Sequence, residues 1–362
     1  MAIHVVNEAR RCLHCKKPMC REGCPISTNI PEVIELFRTG HKEDAGAMLY
    51  ANNPLSVICS LVCDHDKQCE GHCVLGRKGA PVHFSSIENY ISDSYLDHLH
   101  LEMQPKTGQR VAIIGSGPAG ITISVLLAQR GYQVTMFESR EKIGGVLRYG
   151  IPEFRLPKSI LDRYQKQLTQ LGIQIRPNTA IGRTLTVDDL QRDGYEAIFI
   201  GTGVWKPKAM GIPGESLGNV NYAIDYLVNP DVYDLGDDLV VIGAGNSAMD
   251  VARTALRKGV RRVSVFCRRY QTAASVREVD YAKADGVEFF YGMRPTRIVD
   301  NGVYYKKVEM DEEGNITSTS EEQFFPCSSV IIAISQGAQN RIVSTTTGLE
   351  MSSHGLLATN EH

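Results

Sequence analysis

The sequence predicts an α/β protein, with a helical N-terminal domain followed by two domains of βαβ type built on parallel sheets. Three observations carry that expectation. Eight of the ten cysteines lie between Cys12 and Cys73, in a stretch whose apolar spacing is helical. Two short apolar runs, residues 111–114 and 239–242, each lead directly into a glycine-rich turn and a helical segment. The second run follows the first by about 128 residues, so one supersecondary unit occurs twice.

At 362 residues the chain is too long for one simple domain. Apolar residues make up 43% and charged ones 22%, the balance of an ordinary globular protein. With 39 basic against 41 acidic side chains, bulk charge argues against a nucleic-acid or anionic-membrane binder. No eighteen-residue apolar run occurs, so no membrane span is expected. The N-terminus lacks the apolar core of a secretory signal, and a cytoplasmic location is expected.

In chain order, residues 1 to about 105 form the cysteine module. It contains a helical pattern starting at Ile30-Pro31-Glu32 and another over residues 85–101, and a turn-rich hinge at residues 105–108 ends it. Residues 111–114 read as a buried strand, followed by a helix to Arg130 and a strand over 133–137 that ends in Glu138. A helix over 158–171 and a strand over 197–200, closed by Gly201-Thr202-Gly203, complete this segment. In the second unit, strand 239–242 is followed by a helix to Lys258 and a strand over 263–267. The charged residues 311–322 read as a solvated hairpin, and 330–334 as another strand.

The first turn is Gly115-Ser116-Gly117-Pro118-Ala119-Gly120, with Glu138 and then Ser139 at the end of the next strand. A GxGxxG sequence alone is weak, but a preceding strand, a following helix and an acid about twenty residues on make a Rossmann-like dinucleotide fingerprint. Gly115 permits the tight turn, Gly117 lets backbone approach a pyrophosphate, and Gly120 lets helix and strand pack closely. The helix N-terminus supplies amide donors, and Glu138 would accept ribose hydroxyls. The second turn is Gly243-Ala244-Gly245-Asn246-Ser247-Ala248, with alanine at the third small position. Its strand ends in Arg268-Arg269 rather than an acid, which suits a 2′-phosphate and favours NADP(H) over NAD(H). A flavin on one site and a pyridine nucleotide on the other would exchange hydride by stacking and orientation, so no catalytic side chain is nominated. The single tryptophan, Trp205, reads as a core or interface aromatic.

The cysteines follow the spacing Cys12-x2-Cys15-x4-Cys20-x3-Cys24-Pro25 and Cys59-x3-Cys63-x5-Cys69-x3-Cys73. Zinc ribbons favour paired CxxC knuckles, and only Cys12 and Cys15 supply one. Three close cysteines and a more distant Cys-Pro resemble the two-cluster ferredoxin run, in which the fourth cysteine serves the other cluster. On spacing alone, two [4Fe–4S] clusters, structural zinc and free buried thiols all stay open. Cys267 and Cys327 lie in or beside strand patterns and read as core residues.

The ordered set of Cys-Leu-His-Cys, Cys-Arg-Glu-Gly-Cys-Pro, the second cysteine quartet, Gly-Ser-Gly-Pro-Ala-Gly and Gly-Ala-Gly-Asn-Ser-Ala-Met-Asp resembles the small-subunit family of bacterial glutamate synthase. That family also includes the electron-input part of dihydropyrimidine dehydrogenase and the NADH-dependent ferredoxin:NADP oxidoreductases. The resemblance covers nearly the whole chain. It implies a helical iron–sulfur domain over 1–105, an FAD-binding domain over 109–205 plus 337–362 whose C-terminal part is incomplete, and an NAD(P)-binding domain over 206–336 inserted in it. It further implies that Cys12, Cys15, Cys20 and Cys73 hold one [4Fe–4S] cluster, with Cys24, Cys63, Cys69 and Glu88 on the other, leaving Cys59 spare. Gly144, Gly145 and Arg148 match the family's flavin-side segment, and Gly201, Thr202 and Gly203 a turn of its FAD domain. Two departures stand out: the family's closing Gly-Asp motif is not reached, though residues 355–358 look like the start of its strand, and Ser335 replaces a common glycine.

The implied activity is electron input. NAD(P)H would reduce FAD, and the clusters would pass electrons to a partner redox subunit. That partner would be a glutamate synthase large subunit, a dihydropyrimidine dehydrogenase catalytic subunit or a ferredoxin-linked flavoprotein. A disulfide reductase would need a redox cysteine pair where Cys267 stands alone, and a non-catalytic zinc scaffold is the remaining alternative.

Overall fold

The computed structural model describes residues 4–99, 103–311 and 316–359. The chain divides into two compact units, Met1–Arg148 with Glu153–Thr202, and Tyr149–Pro152 with Gly203–His362.

In the first unit the N-terminal module is helical. The helix Ile30–Arg38 opens with a proline in its first turn, where the missing amide costs nothing, and buries Ile30, Val33 and Ile34 on one stripe. That stripe packs with Ala45, Leu49, Cys69, Ile87 and Ile91 into one core. The helix Phe84–Asp97 contributes Phe84, Ile87 and Ile91, and it buries Glu88 on the same face. A four-stranded parallel sheet follows, in the order Gln174–Arg176, Gln133–Phe137, Arg110–Ile114, Ala197–Ile200. Its register sets Ile114 beside Phe137 on one edge and Ile200 on the other. The helix Lys158–Gln170 ties module and sheet together: Tyr164 Oη donates to Pro54 O (2.7 Å), and Arg163 pairs with Asp93 and Asp97. That is why the expected first two domains share one compact unit.

The second unit holds a five-stranded parallel sheet in the order Val220–Tyr222, Ser329–Ile332, Asp238–Ile242, Arg262–Cys267, Glu288–Tyr291. Helix Asn246–Arg257 buries Ala248, Met249, Val251, Ala252 and Ala255 against one face. Val240, Ile242, Phe266, Val330 and Ile332 pack on the other face with Ile298 and Val303. Strands covered on both faces read as continuous apolar runs, which made them visible in the sequence. An antiparallel sheet pairs Met293–Val299 with Gly302–Met310, and the latter with Ile316–Thr319 and Gln323–Pro326.

The charged 311–322 segment contains the strand Ile316–Thr319, paired antiparallel with Gly302–Met310 as a hairpin requires, while residues 312–315 lie outside the described residues, as do residue 101 and residues 360–362. Residues 355–358 add no strand to the first sheet. Instead Leu357 bridges to Met351 and Ala358 N–H donates to Glu350 O (2.8 Å), folding the segment back on itself. Residues 337–359 group with the second unit, and at their start Gln336–Gly337 pairs antiparallel with Lys206–Pro207. Cys267 and Cys327 are buried, and Trp205 is half-buried. Among the described residues no single helix is long and apolar enough to cross a membrane.

Candidate functional site

The cysteines separate into two groups. Cys12, Cys15, Cys20 and Cys73 line one apolar cavity with Ile30, Ile34 and Phe84, and Cys69 reaches its wall. Burial, with the charges of Cys15 and Cys73 adding, pushes the Cys12 thiol above its ordinary range. Burial also pushes Cys20 up to about 11, with Cys12 and Cys73 adding. The second group is Cys24, Cys63, Cys69 and Glu88, with Cys59 among them. Burial raises Glu88 well above the carboxylate range, and Cys59, Cys24 and Glu70 reinforce that. Cys69 is raised by burial and then by Glu70, Glu88 and Cys24.

Cys59 is the exception. The Cys63 thiol donates to it, and Asn53 Nδ2 donates as well (3.1 Å), so it is lowered to about 7 despite burial. Val82 N–H donates to Cys73 Sγ (3.5 Å), and Cys24 Sγ donates to Thr28 Oγ1 (3.4 Å). Among the described residues no three His, Cys, Asp or Glu side chains converge on a single-ion site. Thiols gathered in a dry pocket with raised pKa values are costly as free thiolates. A bound iron centre removes that cost, since metal coordination deprotonates a thiol outright, so the donor chemistry fits iron–sulfur centres.

At the first glycine turn, Gly115 has φ +101°, and a Cβ there would lie 2.4 Å from Gly201 O. A Cβ on Gly120 would meet Gly115 O at 2.0 Å, whereas Gly117 faces open space. Pro118 and the exposed Ala119 begin the helix Pro118–Gln129, whose amides point at that opening. Glu138 is buried with both oxygens engaged. Oε2 accepts from Ser116 N–H (3.0 Å) and Ser116 Oγ, while Oε1 accepts from Ser139 Oγ (3.1 Å) and Arg140 N–H (2.7 Å). A ribose edge reaches Glu138 only if the Ser116 or Ser139 hydroxyl turns away. Gly144 N–H donates to Ser116 O (2.9 Å), and a Cβ on Gly145 would crowd Gly117 Cα at 2.8 Å, so this segment lies against the turn. Arg148 instead bonds Ile143 O (2.7 Å) and pairs with Asp162 (2.6 Å). Gly201 and Thr202 pack on Gly115, while Gly203 follows with φ +71°. The open face at Gly117 and the amides beyond it fit a pyrophosphate.

At the second turn, Gly243 has φ +136°, and a Cβ there would lie 2.3 Å from Ala333 O, while Gly245 faces open space. Ala248 is fully buried. Gly243, Gly245, Asn246, Ser247, Arg268 and Arg269 line one cavity of about 1150 Å³. Asn246 Oδ1 accepts from Ser275 N–H (2.9 Å), and Ala244 O accepts from Ala273 and Ala274 N–H (both 2.9 Å), so residues 273–275 are pinned beside the turn. A pyridine dinucleotide fits a cavity with these walls.

Residues 2–99 match the family described as dihydropyrimidine dehydrogenase domain II, 4Fe-4S cluster, and residues 109–362 match the pyridine nucleotide-disulphide oxidoreductases. Over 80% of its length the chain is 36% identical to a glutamate synthase [NADPH] small chain of Azospirillum brasilense, spanning 64% of that protein. It is 32% identical over 96% of its length to the corresponding Escherichia coli K12 protein, spanning 80% of it. The chain belongs to the glutamate synthase small-chain family. In solved structures its fold is similar to FprA of Mycobacterium tuberculosis in complex with NADPH, with a TM-score of 0.55 and 20% identity over 69% of this chain and 74% of that one. Family membership makes the chain an NAD(P)H-dependent FAD and iron–sulfur oxidoreductase of the glutamate synthase small-chain type.

Against that family background, some site features carried no sequence signal. The Ser116–Glu138 latch joins residues 22 apart through a turn whose closure only the fold fixes. Arg294 and Lys306 also line the second cavity, and only the register of two antiparallel strands brings them together.

Proposed function

We propose that this chain is the electron-input subunit of a two-part oxidoreductase, oxidising NADPH and delivering electrons to a partner redox subunit of the glutamate synthase large-chain kind. The observation that carries the reading is the co-occurrence, in one chain, of two glycine turns with opposite strand ends and a module that gathers seven cysteines and Glu88 into two groups. Bound there, FAD would accept hydride from the nicotinamide and two [4Fe–4S] clusters would carry electrons singly.

Cys12, Cys15, Cys20 and Cys73 would hold one cluster, with Cys24, Cys63, Cys69 and Glu88 holding the other. The turn from Gly115 to Gly120, with Glu138, Ser139, Gly144, Gly145, Arg148, Gly201, Thr202 and Gly203, would seat FAD. Gly243, Gly245, Asn246, Ser247 and Ala248 would seat the pyrophosphate of NADP(H), with Arg268 and Arg269 on its 2′-phosphate. The protein's part is to position and to exclude water, with no acid or base required. The same reading divides the chain by function into 1–105, 109–205 with 337–362, and 206–336, and it places the protein in the cytoplasm.

The family description of residues 2–99 favours a second reading, in which the partner is a dihydropyrimidine dehydrogenase catalytic subunit. An absorption spectrum of anaerobically purified protein, taken before and after NADPH, tests the core proposal. Flavin and iron–sulfur bands that both bleach are the expected result. Zinc without acid-labile sulfide would overturn it in favour of a non-catalytic scaffold.

A further inference from the structure

The cavity beside the second glycine turn has four cationic side chains in its wall, Arg268, Arg269, Arg294 and Lys306, and no carboxylate among its described lining residues. Antiparallel pairing of Met293–Val299 with Gly302–Met310 sets Arg294 directly opposite Lys306. Directly opposed residues share one face of the sheet, and like charges in that arrangement destabilise the strand pair.

The surrounding protein does little to neutralise them. Arg268, Arg269 and Arg294 make no side-chain ion pair among the described residues. Lys306 makes no ion pair among the described residues, and the nearby Glu322 carboxylate is already taken by Thr296 Oγ1 (2.6 Å) and Arg297 (3.3 Å). A like-charge pair kept at a cavity wall, facing two further cations, is a built place for an anion. The pyrophosphate already has the turn amides and the N-terminus of the helix Asn246–Arg257. The anion left over in NADPH is the 2′-phosphate, a dianion near neutral pH that more than one cation can bind.

We propose that Arg294 and Lys306 form the second wall of the 2′-phosphate subsite, closing on it from the antiparallel sheet while Arg268 and Arg269 hold it from the strand end. This deepens the NADPH reading above and rests on it. On this basis nucleotide selectivity is set by two segments distant in sequence, and bound nucleotide relieves the repulsion between the paired strands.

Calorimetric titration of the full chain with adenosine 2′,5′-bisphosphate and with 5′-AMP tests this without needing flavin or clusters. Arg294→Gln with Lys306→Gln is expected to weaken the bisphosphate by about tenfold, the size of one charge-assisted hydrogen bond, and to leave 5′-AMP unchanged. It should also raise the unfolding temperature of the nucleotide-free protein, since the opposed charges are gone. Unchanged bisphosphate affinity, or equal weakening of both nucleotides, overturns the proposal. If Arg268→Ala with Arg269→Ala lowers bisphosphate affinity selectively while the strand variant does not, only the second wall falls. If the native chain binds both nucleotides equally, the NADPH reading falls with it.

Discussion

The two glycine turns share one backbone solution in opposite surroundings. At each first glycine, Gly115 and Gly243, a side chain would collide with a carbonyl from the neighbouring crossover, Gly201 O or Ala333 O. At each middle glycine, Gly117 and Gly245, the backbone faces open space. The differences begin at the third small residue and at the end of the next strand. Gly120 touches its own turn so closely that a methyl would sit 2.0 Å from Gly115 O, whereas the second turn accommodates Ala248. The first strand ends in a carboxylate latched to Ser116, and the second in two arginines facing a cavity. Turn geometry thus dictates what the two share. What differs is what each strand end presents: a carboxylate whose oxygens are already engaged, and two arginines with no ion-pair partner among the described residues.

The largest expected effect breaks the packing half of that comparison. Gly120→Ala places a methyl against backbone that cannot rotate away, and should cost about 3 kcal/mol or more. Thermal unfolding followed together with flavin retention would show a lowered transition and lost flavin. The mirror change, Ala248→Gly, should cost less, at most about 2 kcal/mol from helix propensity and one buried methyl. Equal losses from the two changes would mean the turns are packed alike after all. Next in size is Glu138→Ala, which strips a buried acceptor from Ser116 N–H and Arg140 N–H and should cost about 2 kcal/mol. It should weaken flavin and leave adenosine 2′,5′-bisphosphate binding intact, and a loss at both sites would refute the division of labour between the turns.

Arg268→Ala with Arg269→Ala sharpens the ligand half. Neither guanidinium has a structural partner among the described residues, so stability should hold while NADPH weakens about tenfold. NADH should change little, and the difference should shrink as salt rises, because these are exposed charges. Steady-state KM values for the two nucleotides read it directly. An equal loss for both would assign the arginines to the shared part of the nucleotide.

How much of this was legible in the sequence follows from how local each feature is. The parallel strands were visible because burial on both faces leaves an uninterrupted apolar run, as at Leu239-Val240-Val241-Ile242. The glycines were visible because a turn that admits no Cβ leaves little choice of residue. The cysteine spacings marked a metal-type module, and the spacing of Cys59 and Cys63 already put them one helical turn apart, but only tertiary structure brings Cys73 beside Cys12. Register is the least local property. Arg294 and Lys306 carry no motif, and a one-residue slip would turn either away from the cavity.

The smallest expected effect lies just past the strand that crosses beside each turn. Three residues beyond Ala197–Ile200 the first turn's partner segment has Gly203, at φ +71°, and three beyond Ser329–Ile332 the second has Ser335, at φ +142°. Both need a backbone that glycine adopts freely, but only one has glycine, and a serine held there stores about 1 kcal/mol of strain. Ser335→Gly should therefore stabilise the protein by somewhat less than that, since the added freedom of the unfolded chain offsets part of the relief. A rise of about a degree in the unfolding temperature is the expected reading. Because Ser335 also lines the nucleotide cavity, its hydroxyl is a competing explanation for any change, and Ser335→Ala separates the two. Alanine removes the hydroxyl but keeps the strained φ, so it should leave stability where serine has it. A gain from alanine equal to that from glycine would place the cost in the hydroxyl rather than in the backbone.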